Sequence, residues 1–325
     1  MEEFYAMPRL AARLDLAQEA MAILRGAADV EIAGIREDVQ QQDGVTMHTV
    51  TVLDERGSQA IHKPCGNYIT FDIPPLNEAN AFRCVADMVA TQLHALLPPL
   101  QGRTLLVIGL GNSGAVPDAL GPQVVSLTYA TRHLFSTGTP PAGLERVCSL
   151  APGVLGTSGI ETAEIIRGVC DRLQPAAVIV VDALAAASVS RVGTTIQMTD
   201  SGIAPGSGIS GSKPGRTEIS AASLGCPVVA LGVPTVVDAA AIIKETLSAL
   251  RAYWQGKAQP LPPEIDDDAR EYTEAQLLAA FRGTLMVTPK DIDQLIADQA
   301  EIIAAAIAIC AHPACTAENY QDFIK

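Results

Sequence analysis

Apolar and polar positions change period several times along the chain, and each change marks a predicted element. Residues 1–25 carry Leu10, Leu14, Ala17 and Ile23 at roughly helical spacing, a short amphipathic opening. In residues 44–53 (GVTMHTVTVL) apolar and polar types alternate and β-branched residues dominate, as in a half-buried strand. Residues 77–97 return to the helical period and stop at Pro98 and Pro99, which cannot continue a helix. The middle of the chain then holds short, continuous apolar runs at 104–109 (TLLVIG), 147–150, 176–181 (AAVIVV) and 228–231 (VVAL), with a more polar strand at 194–198. Runs this apolar have no solvent-facing side, so they predict strands covered on both faces. Helical patterns at 160–173 and from about 236 to 250 separate them. Ser158 and Glu161 have capping-box spacing before the first helix, and Thr235 is placed to cap the second. The last helix is expected to start with Thr288 as N-cap, Pro289 at its first position and Asp291 in its first turn.

Strands alternating with helices predict a single α/β domain, three layers deep, with a mixed, mostly parallel sheet between helical layers. Two segments interrupt the alternation as small excursions. Residues 202–216 (GIAPGSGISGSKPGR) are rich in Gly and Ser, and residues 256–272 are proline-rich and then acidic. The first is long for a loop in a compact domain, which marks it as functional or disordered. Lys213 and Arg216 within it could neutralise acidic side chains of a ligand.

Composition narrows the function classes. Of the 325 residues 48% are hydrophobic but only 4% aromatic, so the core must be packed by aliphatic side chains. A net charge of −14 repels phosphate backbones and anionic lipid, which disfavours direct nucleic-acid or membrane binding. The acidic N-terminus lacks the basic-then-apolar order of a signal peptide. The apolar stretches 226–243 and 302–311 are broken or too short for a span of ~20 residues. Seven scattered cysteines without a CxxC fit a reducing compartment and a cytoplasmic location.

Chemistry could sit at two strand ends. Gly109, Gly111 and Gly114 match a dinucleotide fingerprint after a strand, but Pro117 and Asp118 intervene where the helix should open. The acid expected ~20 residues further on is also missing. The glycines are therefore read as a sharp turn that presents Asp118. Asp182 directly follows the apolar run 176–181 and so lies at the carboxyl edge of the sheet, where open α/β folds place their sites. If the two strands are neighbours, the acids converge, one pKa rises and the pair shares a proton. One acid can then draw a proton from water while the other donates to the carbonyl or leaving nitrogen. Taken alone, each aspartate could equally cap a following helix.

The blocks GLGNSGAVPDALGP, LAPGVLGTSGIET, VVDALAAAS, DSGIAPGSG, LGVPTVVDA and LMVTPKDID resemble those of the germination protease family of spore-forming bacteria, in the same order, across residues 10 to 311. That resemblance implies an atypical aspartic-type endopeptidase, with Asp118 and Asp182 as its catalytic pair and no required cofactor or metal. It further implies a phosphorylase/hydrolase-like fold similar to that of hydrogenase-maturation endopeptidases. The implied substrates are small acid-soluble spore proteins, the assembly a homotetramer and the location the forespore or spore core. Arg13 to Ala20 is similar to the family's processing region, which implies a zymogen cleaved between Asp15 and Leu16. Residues 1–15 would then be a pro-segment and 16–325 the peptidase domain. Gly111, Asn112, Asp200, Thr235 and Asp238 stand in family-like blocks as supporting residues, with capping or indirect support expected of Asp200 and Asp238.

Other chemistries remain as alternatives. The hydrogenase-maturation relatives use two acids and a later histidine for nickel, but none of the five histidines stands among the blocks after Asp182. A nicotinamide site near Gly111 is a more distant alternative. Cys310, His312 and Cys315 lack a fourth ligand nearby and read as a frayed helix end. No GxSxG elbow or cysteine–histidine arrangement supports a nucleophile.

Overall fold

A computed structural model describes residues 16–25, 32–74, 81–136, 142–204, 218–256, 272, 276 and 285–324. The expected pro-segment 1–15 with Asp15, the loop residues 206–216 with Lys213 and Arg216, and most of the 256–272 excursion lie outside them.

The strands are β1 (Ile35–Gln42), β2 (Val45–Val52), β3 (Gly66–Asp72), β4 (Thr104–Gly109), β5 (Arg146–Leu150), β6 (Ala177–Ala186), β7 (Thr195–Thr199), β8 (Val228–Asp238) and β9 (Met286–Val287). They form one mixed sheet in the order β1-β2-β3-β7-β8-β6-β4-β5, with β9 on β8. The strands β5, β4, β6 and β8 pair in parallel, and the β7–β3–β2–β1 side is antiparallel. Strands β1, β3, β4, β5, β6 and β8 point one way, while β2, β7 and β9 point the other. Among the described residues the helices of seven or more residues are α1 (Ala17–Arg25), α2 (Glu55–Ile61), α3 (Ala81–Leu96), α4 (Leu120–Leu127), α5 (Thr162–Leu173), α6 (Ala239–Gly256) and α7 (Ile292–Ala311).

Side-chain alternation along the strands divides the core between two faces. Leu105, Val107, Ile179, Val181, Val229 and Leu231 face α3, α4 and α7 in one continuous core. Leu106, Ile108, Val178 and Val180 point the other way, against Ile166 and Cys170 of α5. Val50, Val52 and Tyr68 on that second face pack on α1 and α2 through Ala17, Ala20, Met21 and Ile61. The three-layer expectation therefore holds. α7 is long and apolar enough to cross a membrane by composition, yet Ile296, Ala300, Ile303 and Ile307 are buried in the first core.

Several boundaries differ from the sequence reading, each for a physical reason. β6 and β8 run on past the apolar runs 176–181 and 228–231 because they ladder with each other as far as Ala186 and Val237. The helix expected from about 236 therefore starts at Ala239. The capping box at Ser158 and Glu161 does not form. A separate turn, Leu155–Ser158, closes at the left-handed Gly159, and Ser158 takes the N–H of Ile160. The last helix begins at Ile292 after Asp291, and Thr288 donates its hydroxyl to the Thr235 carbonyl instead of capping. The 310–315 segment is no frayed end: His312 and Cys315 are buried, and His312 Nδ1 accepts the Glu145 N–H at 3.2 Å.

Candidate active site

The turn after β4 is built on glycine. Gly111 adopts φ +110°, and a Cβ on it would overlap the Asp118 carbonyl oxygen and lie 3.1 Å from Asp118 Oδ1. Only glycine fits so close an approach in this backbone region. The chain can then fold back, so that the Asn112 N–H donates both to the Asp118 carbonyl, at 3.0 Å, and to Asp118 Oδ2, at 2.9 Å. Asn112 Oδ1 in turn accepts the Gly114 N–H at 2.9 Å. Val116–Asp118 forms a single 3₁₀ turn with Pro117 near its start, and α4 follows. Gly121 brings that helix against the sheet, since a Cβ on it would lie 2.5 Å from the Leu110 nitrogen and 2.6 Å from the Val181 carbonyl oxygen. The helix opens at Leu120 and not at the third glycine, so the dinucleotide geometry is not formed.

Asp182 lies within β6, beyond the apolar run but not at the strand's end, and is 7% exposed. It pairs with Gly232 of β8, and its Oδ1 accepts the Ala183 N–H at 2.9 Å. Strand alternation puts it on the α5 side with Val178 and Val180. The neighbouring pair Gly109 and Val181, together with the Leu110 N–H to Val181 carbonyl bond at 2.8 Å, locks the ends of β4 and β6 side by side. The turn carrying Asp118 packs against both β6 and β8. The strands expected to be neighbours are neighbours, and the elements bearing both acids meet at the carboxyl edge of the parallel strands.

Neither acid caps a helix. α4 begins without a side-chain cap, and β6 continues past Asp182 as strand. Asp118 is half-buried, and this burial raises its carboxyl pKa above the ordinary value, against the opposing pull of the Asn112 N–H. The fold therefore favours its protonated form more than water does.

The supporting residues separate by location. Asp238 ends β8 and takes the Ala240 N–H at 3.0 Å, capping α6 from the position before its first residue. Thr235 does not cap that helix. It is buried in β8 and is the extra residue of a β-bulge, where Leu184 pairs with Pro234 and Ala185 with Val236. Asp200 sits away from the two acids, past the end of β7. It clamps the start of β3, taking the Asn67 backbone N–H at 2.7 Å and its side-chain amide at 2.8 Å. Leu16, the first described residue, is fully buried. Among the described residues no group of three or more His, Cys, Asp or Glu side chains is placed to hold a metal ion.

Sequence reading missed the neighbours of Asp182 across the sheet. Gly232 faces it without a side chain, Leu184 packs over that glycine, and the buried Gln197 follows on β7. The available signals were a glutamine amid the apolar residues of TIQMT and a glycine within VVALGV.

Comparison with known proteins is consistent along most of the chain. The family model described as germination protease matches residues 12–258. A germination protease from Clostridium tetani is 37% identical over 97% of this chain and 100% of its own length. Those of Caldanaerobacter subterraneus subsp. tengcongensis and a Geobacillus species are 37% and 36% identical, covering 97% and 94% of this chain and 98% and 95% of their own. Among solved structures, a [NiFe] hydrogenase maturation protease HycI from Thermococcus kodakarensis aligns with a TM-score of 0.32 at 16% identity, over 66% of this chain and 98% of that one. The chain belongs to the germination protease family and is a peptidase.

Proposed function

We propose that this peptidase degrades small acid-soluble spore proteins when a spore germinates, with Asp118 and Asp182 jointly activating water. The observation that carries the reading is the meeting of their two elements at one sheet edge, with Asp118 held toward protonation by burial. Two acids that share one proton titrate as a unit. Water placed between them loses a proton to the ionised acid, while the protonated one donates to the scissile carbonyl and then to the leaving nitrogen. No residue supplies a covalent intermediate in this scheme, and no metal or cofactor is required.

The enzyme is made as a zymogen that removes residues 1–15 by cutting between Asp15 and Leu16, works as a homotetramer and resides in the spore core. The test is to incubate the full-length chain and a form starting at Leu16 with a small acid-soluble spore protein, with and without chelator. Cleavage by the shorter form alone, indifferent to chelator, supports the reading. Equal cleavage by both forms would remove the zymogen, and abolition by chelator would replace the aspartate pair with a metal mechanism. Sedimentation of the active form at the mass of four chains tests the assembly.

A further inference from the structure

The two faces of the sheet are covered differently. Among the described residues one face is a single continuous core, whereas the other is covered in separate pieces, by α5 over β4 and β6, by α1 and α2 over β2 and β3, and by α6 at the ends of β6 and β8. Between these covers the strands turn polar, and Thr70, Thr195, Gln197 and Thr199 are buried on the same face as Asp182. The register sets Asp182 opposite Gly232 and Gly232 opposite Gln197. Acid and amide thus share one row with a glycine between them. Leu184 fills the space above that glycine, since a Cβ there would lie 2.5 Å from Leu184 Cδ1. The result is a carboxylate and an amide two strand spacings apart, about 10 Å, with an apolar floor between them. That span is about three residues of extended polypeptide.

The amide already holds a main chain. Gln197 Oε1 accepts the N–H of Ala17 at 2.8 Å, in a buried contact. Ala17 opens α1, so this N–H is one of the donors a helix start leaves without an internal partner. Glu19 fastens the same turn, taking the Ala187 N–H at 3.0 Å on each carboxylate oxygen, with Arg191 Nε at 3.7 Å. The docking is incomplete, because Gln18 Oε1 is buried there without a partner among the described residues, which disfavours the docked state.

We infer that Gln197 binds the main chain of a peptide laid beside Asp182, and that the first turn of α1 occupies its acceptor in cis. The inference rests on the peptidase reading above and adds to it a group that touches substrate. A neutral amide oxygen asks only for a peptide N–H, so it fixes where a polypeptide lies without selecting its side chains. A substrate N–H that replaces that of Ala17 lays its chain across Leu184 and brings a bond within about three residues of it to Asp182.

The test is steady-state cleavage of a small acid-soluble spore protein by the active enzyme and its variants. Measured in the Ala17→Pro background, where no helix N–H competes for the acceptor, Gln197→Leu should raise KM about tenfold, the worth of one hydrogen bond, with kcat within about twofold. Gln197→Glu keeps an acceptor oxygen and should hold KM near that of the parent. Ala17→Pro removes the competing N–H at a first helical position, where proline is tolerated, so KM should fall. This variant leaves Gln197 untouched and decides the matter even if Gln197→Leu does not fold. KM unchanged by Ala17→Pro and by Gln197→Leu, or a Gln197→Leu effect confined to kcat or to melting temperature, would overturn the inference. A parent enzyme that cleaves nothing would instead overturn the peptidase reading, so the two failures are distinguishable.

Discussion

Replacing Gly111 by alanine probes the geometry of the site without replacing either acid. The residue sits at φ +110°, where a Cβ overlaps the Asp118 carbonyl oxygen and crowds its Oδ1 at 3.1 Å. Strain of this kind costs about 1–3 kcal/mol. Relieving the overlap means moving the Asp118 turn away from Asn112, which breaks the backbone bond at 3.0 Å and weakens the carboxylate bond at 2.9 Å. Losing such a bond adds about 1 kcal/mol. The expected destabilisation is therefore about 3 kcal/mol, read as a lower urea midpoint at unchanged slope. Activity should fall further than stability explains. A displacement near 1 Å of a group that must face its partner costs about 100-fold in rate. Cleavage is measured well below the unfolding midpoint, so that every molecule counted is folded. A Gly111→Ala enzyme with the parent's midpoint and the parent's rate would show that the turn does not position Asp118 for the reaction.

Other perturbations separate stability from chemistry. Asp118→Asn should abolish cleavage yet stabilise the fold at neutral pH, because burial raises the native carboxyl pKa and the ionised form carries the cost. The sign follows from the native state binding the proton more tightly than the unfolded chain. The parent's stability then falls as pH rises from the ordinary value of 3.8 through the raised one, and melting curves of the variant should lack that component. Burial also pushes the His312 pKa down from 6.5 to about 4, so its contribution is complete above 6.5 and is lost as pH falls toward 4. His312→Asn, which keeps an acceptor for the Glu145 N–H, should remove about 3 kcal/mol of acid sensitivity in urea titrations between those limits. An identical acid profile for both proteins would contradict this.

What could be read in advance follows from which physical signal each element carries. β4 and the first half of β6 are apolar on both faces, so TLLVIG and AAVIVV announce buried parallel strands and draw attention to the acids that follow them. β1 escaped notice because it is an edge strand, IREDVQQQ, mostly exposed and paired on one side only. β6 and β8 appeared to stop at Val181 and Leu231 because an acid, a glycine and a proline interrupt the apolar runs. Pairing between the two strands carries both through those residues, and a long-range ladder leaves no local mark. For the same reason Gln197 could be recognised as polar but not as a neighbour of Asp182. Its row is set by β7, β8 and β6 coming together from distant parts of the chain.

The shared role of the acids is tested most directly by single-turnover cleavage of a small acid-soluble spore protein by Asp118→Asn, Asp182→Asn and the double variant. Groups that act as one unit lose their function together, so each single variant should be as slow as the double. Retention of the parent's rate by either single variant, or losses that multiply in the double, would mean that the two carboxyls do not work on one water.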